Sequence, residues 1–127
     1  MKILLSVALV CSLAGDLHGA IDLPSGSGND FLRLCSMVER NQKMEDTVQD
    51  LVCTSYIAGL RDGVASEVAF AQSENKSAPK PFCLSVGVEN GQLVKIALKY
   101  IKNHPEWAHL PTSVLLVKAW EEAFPCR

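Results

Sequence analysis

The chain has 127 residues, 48% of them apolar and 20% charged, with a formal net charge of −2. That length holds one domain around one core, and the apolar fraction argues against disorder. An acidic balance with only 6% aromatic residues leaves neither the basic footprint nor the stacking platform of a nucleic-acid binder.

Residues 1–20 read as a secretory signal peptide. Met1-Lys2 supplies a minimal positive start, Ile3 to Val10 an almost unbroken apolar run, and small residues follow. The run is too short to cross a bilayer and stay there, so no membrane anchor remains after cleavage. Cleavage after Ala20 would begin the mature chain at Ile21, although His18 is a poor residue two positions earlier. Ala14, with Ser12 before it, is the competing site. Cys11 follows Val10 where a lipidation motif wants a small residue, so a lipoprotein is disfavoured. Four cysteines then remain, at 35, 53, 83 and 126. An even count in a short exported chain reads as two disulfides, and no pair has the close spacing of a zinc site.

Residues 21–29 are rich in turn formers and read as a flexible lead-in to a helical domain over 30–127. Asn29 or Asp30 can cap a first helix, in which Phe31, Leu34, Cys35 and Val38 fall on one stripe. A second helix is predicted from about Glu45 or Asp46 to about Ala71. Val48, Leu51, Val52 and Tyr56 mark one face, and Cys53, Ile57, Leu60, Val64 and Val68 another. Two apolar faces predict a central helix packed from both sides. Gly59 and Gly63, one turn apart, predict the close approach of a neighbouring backbone, with a kink near Gly63 as the alternative. Ser73 to Pro81 is an exposed loop; its Asn75-Lys76-Ser77 is a formal glycosylation acceptor, relevant only in a eukaryotic secretory pathway.

A third helix is predicted over Glu89 to Asn103, with Leu93, Ile96, Ala97, Tyr100 and Ile101 inward and Lys95, Lys99 and Lys102 in water. Pro105 stops it, and Pro111 fits the first turn of a fourth helix. That helix buries Leu116, Ala119, Trp120 and Ala123 and ends at Pro125. With no convincing strand, the fold class is all-α: a compact bundle of about four helices stapled by two disulfides. Antiparallel pairing of the first two and of the last two helices favours Cys35–Cys53 and Cys83–Cys126 over the two other connectivities.

Chemistry is scarce. Beyond the leader the histidines are His104 and His109, both at the turn between the last two helices and without companion metal ligands. Neither a nucleophile elbow, a phosphate loop nor a zinc-protease motif occurs. Adjacent Glu121 and Glu122 splay apart on a helix, and Glu39 and Glu45 read as ordinary helix-end charges. The reading is a protein without catalytic residues, cofactor or metal, working by binding.

In order along the chain stand Cys53, Tyr56-Ile57-Ala58-Gly59, Asp62-Gly63, Phe82-Cys83, Gly87-Val88, Gly91-Gln92-Leu93, Tyr100-Ile101, His104-Pro105-Glu106 and Ala123-Phe124-Pro125-Cys126. Over residues 30–126 this pattern resembles the Rap/Tai family. Glu89, where a threonine cap is common, and Ser55, where a glycine often stands, depart from it without touching the cysteines. The resemblance implies a periplasmic immunity protein of type VI secretion: a helical inhibitor occluding the cleft of a cysteine–histidine peptidoglycan amidase effector, and a possible homodimer. The alternative is a small periplasmic stress or chaperone-like protein without a toxin partner. An occluding inhibitor needs a rigid protruding segment. Lys102, Asn103, His104, Glu106, Trp107 and His109 form a short turn held by helices on both sides, with Trp107 either an anchor of good type or a cap on the core. Ser73 to Pro81 is longer and would lose more entropy on docking.

Overall fold

The computed structural model describes residues 26–40 and 48–126. The predicted signal peptide, Cys11, the start of the predicted lead-in and the predicted first turn of the second helix lie outside the described residues. Within them the chain forms α1 (Gly28–Cys35), α2 (Met37–Arg40), α3 (Val48–Glu74), α4 (Asn90–Asn103), a single 3-10 turn (Pro105–Trp107) and α5 (Thr112–Ala123). The class is all-α, as the periodicity predicts; the one extended pairing among the described residues is an isolated bridge between Ser27 and Pro111.

The first predicted helix is two pieces, because Ser36 takes the Leu32 carbonyl and ends α1 before α2 begins. Its cap differs from expectation. Ser27, rather than Asn29 or Asp30, holds the cap position: its hydroxyl accepts from the Asp30 N–H, and the Asp30 carboxylate accepts from the Ser27 N–H at 2.9 Å. Satisfying two orphan helix-end donors reciprocally is what a capping box does. The Ser27 N–H and then its hydroxyl, both donating to the Asp30 carboxylate, favour the charged form and hold the Asp30 carboxyl below its ordinary range. Phe31, Cys35 and Val38 then enter the core.

The central helix is α4, not α3. It packs against α1, α2, α3 and α5, and buries Leu93, Val94, Ala97, Leu98 and Ile101. Its buried stripe is therefore wider than the predicted one, gaining Val94 and Leu98, while Ile96 and Tyr100 are half-buried at its margin. The long second helix is buried only at Asp50, Cys53 and Ile57. Val48 and Leu51 are 67% and 66% exposed, so the first of its two predicted apolar faces meets the core only through the half-buried Tyr56. From Ala58 to Glu74 it continues for about 25 Å at 1.5 Å per residue. No other helix covers Gly59 or Gly63: a Cβ added to either meets nothing within 4 Å. Among the described residues the predicted close backbone approach does not occur, and the helix runs unbroken through Gly63.

Trp120, fully buried on α5, anchors the lower core. Its indole N–H donates to the Leu93 carbonyl at 3.3 Å, and its ring meets Phe82 edge-on at 5.4 Å. Leu115 joins Leu116 and Ala119 in the interior, whereas Ala123 is exposed because α5 has by then left the core. The disulfides join Cys35 to Cys53 and Cys83 to Cys126, with Cα atoms 5.7 and 5.0 Å apart. The first bridge is buried between α1 and α3. The second lies exposed where the segment entering α4 meets the exit of α5, next to a backbone bond from the Cys83 N–H to the Phe124 carbonyl.

Candidate functional site

The turn between α4 and α5 is built from both flanks. After Asn103 the backbone of His104 leaves helical geometry, and Pro105, lacking an N–H, opens the 3-10 turn. Successive short-range bonds then close it: Trp107 N–H to His104 carbonyl, Ala108 N–H to Pro105, Leu110 N–H to Trp107. Buried Ala108 plugs the turn into the core. Residues 26–29, expected as the end of a flexible lead-in, brace it from outside. Gly28 and Asn29 donate backbone N–H groups to the Leu110 and Ala108 carbonyls at 3.0 and 2.9 Å. The hydroxyl of Thr112, fully buried, is 2.8 Å from the Ser27 carbonyl and 3.0 Å from that of Gly26. Only glycine fits at position 28, where a Cβ would lie 2.5 Å from Leu115 Cδ1 and 3.0 Å from the Ala108 carbonyl.

Three of the six predicted contact residues, His104, Glu106 and Trp107, come together on the surface. His104 stacks on Trp107, ring centroids 4.5 Å apart and planes 12° from parallel. Its Nδ1 lies 3.3 Å from Glu106 Oε1. Lys102 forms an ion pair with Glu39, tying the end of α4 to α2. Asn103 and His109 are exposed at the two ends of the turn. Trp107 is 39% exposed, so its ring covers the stacked histidine rather than filling the core. The Glu106 carboxyl is held below its ordinary range by its own backbone N–H first and then by His104. Tyr100, assigned to the buried stripe, completes the cluster at 4.6 Å from the His104 ring. Tyr100 lies in the last turn of α4 and His104 directly after its end, and that four-residue spacing is the sequence signal for the neighbour.

The other predicted contact segment is ordered too. Asn75 closes a turn by accepting from Ser77 and Ala78, and the Gln72 amide donates to the Ala78 carbonyl at 3.1 Å. The chain then runs back beside α3, leaving recesses of about 430 and 510 Å³. Val64 and Val68 line both. Phe70 beyond them is 63% exposed.

Among the described residues, no group of three or more His, Cys, Asp or Glu side chains is placed to hold a metal, and no helix is long and apolar enough to cross a membrane. The family model for Rap1a immunity proteins matches residues 27–126, from the capping serine to the last cysteine. No curated protein and no solved structure matches.

Proposed function

Since the chain belongs to the Rap1a immunity protein family, we propose that it is exported by residues 1–20 to the periplasm and there neutralises a type VI secretion effector. The target is a cysteine–histidine peptidoglycan amidase, blocked by occupation of its cleft without catalysis or cofactor. The observation carrying this reading is the 104–107 turn, which presents Trp107 on a frame hydrogen-bonded to α1 and α5. A pre-ordered segment loses little entropy on docking, and a half-exposed tryptophan is the residue type that dominates interface energetics.

The test is periplasmic co-expression with candidate cysteine–histidine peptidoglycan amidases, scored by lysis and by gel filtration of the complex. Trp107→Ala is expected to weaken the complex at least tenfold with an unchanged melting temperature. No rescue and no complex with the native chain would overturn the reading.

A second copy of the chain is the proposed occupant of the free flank of α3, supported by open Gly59 and Gly63 and by exposed Phe70. The same exposed apolar residues favour the chaperone-like alternative. Suppression of client aggregation by the monomer, with no amidase bound, would decide for that alternative.

A further inference from the structure

Beside the turn, α4 and α5 leave an open recess of about 280 Å³. Ile96 and the buried Ala119 give it apolar walls, the Tyr100 and His104 rings stand together at one side, and Glu122 and Lys99 border it. Stacking on Trp107 and the contact with Glu106 fix the His104 ring in place. The lining holds one anion, Glu122, and one cation, Lys99. After partial burial, the carboxylates of Glu122, Glu106 and Glu121 are what push the Tyr100 phenol above its ordinary range. Lys102, the other cation at this end of α4, is taken up by Glu39. Neither Lys99 nor Lys118 forms an ion pair with Glu122 among the described residues.

We propose that this recess receives a cationic side chain, an arginine, projected by the protein partner while the neighbouring turn occupies its cleft. The apolar walls suit the aliphatic stem, the tyrosine face suits the guanidinium plane, and Glu122 supplies a carboxylate at the rim. This rests on the proposed binding of a protein effector, but its first test needs no effector. N-acetylarginine amide is titrated into the full mature chain and followed by ¹H–¹⁵N chemical shifts. Saturable shifts are expected at Tyr100, His104 and Glu122, with none from the neutral isostere N-acetylcitrulline amide. Glu122→Gln, at an exposed position, should weaken the arginine probe about fivefold, and Lys99→Gln should strengthen it about as much. Equal shifts from both probes, or an effect of neither substitution, would overturn the proposal; if Lys99 itself occupies the recess, only Lys99→Gln permits binding, which also overturns it.

The amidase arm separates the two readings. Arginine-probe binding with no amidase captured leaves the recess standing and removes the immunity reading. Amidase capture unaffected by Glu122→Gln, with no probe binding, leaves the immunity reading and removes the recess.

Discussion

The two disulfides should open in a fixed order under a limiting thiol reductant. Cys83 and Cys126 are exposed, whereas Cys35 and Cys53 have no accessible surface. Thiolate attack requires access to sulfur, so the first bridge to break is Cys83–Cys126. It spans 43 residues against 18 for the other. The chain-entropy model assigns it about 4 kcal/mol and the shorter bridge about 3 kcal/mol. Losing about 4 kcal/mol from a domain stable by roughly 5–15 kcal/mol leaves a folded but weakened intermediate. Reaching Cys35–Cys53 then requires α1 to separate from α3, so the second reduction tracks unfolding. The assay is brief exposure to dithiothreitol, iodoacetamide quenching and peptide mass mapping, with thermal melting of the isolated intermediate. A two-thiol species alkylated at 83 and 126 should accumulate. Labelling at 35 and 53 first, or all four thiols appearing together, would refute the reasoning.

Leu98→Ala removes a side chain from the interior of the true central helix and should cost about 3 kcal/mol in urea unfolding; a loss below about 1 kcal/mol would mean that α4 is not the hub. Gly63→Ala meets open space on a helix, so the monomer should gain up to about 1 kcal/mol. If a second copy packs there, sedimentation at high concentration should show weakened self-association of the same variant. Asp30→Asn should destabilise at neutral pH but progressively less in acid. The Asp30 carboxyl is depressed by Ser27, so its contribution is present above the ordinary carboxylate range and disappears as pH falls through the lowered native value. Melting temperatures of the two proteins that fail to converge in acid would contradict this. Thr112→Val removes a buried donor, but the Ser27 carbonyl still accepts from Phe31 and the Gly26 carbonyl from the Thr112 backbone. Its cost in chemical denaturation should therefore stay near 1 kcal/mol, not the larger penalty of stranded carbonyls.

The helices, their approximate limits and the cysteine pairing were legible because periodicity and proline placement act locally. Pro105 and Pro111 bracket the turn where expected, and the helix over 90–103 starts within a residue of its prediction. What eluded the sequence was the ranking of helices by depth. Apolar residues at 48, 51, 64 and 68 look like core on a helical wheel, yet an apolar face becomes core only if something covers it. Here α4 takes the centre, and much of α3 extends past its neighbours. The capping serine was missed for a related reason. Ser27 lies in a Ser-Gly-Ser-Gly run that reads as linker, and its role depends on the bond from Asp30 and on a contact with Pro111 far along the chain. At the turn, the grouping of His104, Glu106 and Trp107 followed from sequence proximity; the stacked geometry and the addition of Tyr100 required the fold.

The brace between residues 26–29 and 108–112 joins the earliest-made part of the domain to one of the last. No partial chain ending before residue 108 can close it, so the Gly28 and Asn29 N–H groups meet their carbonyl partners only late in synthesis. The last fastening is then timed by the arrival of the second half and not by the local formation of α1.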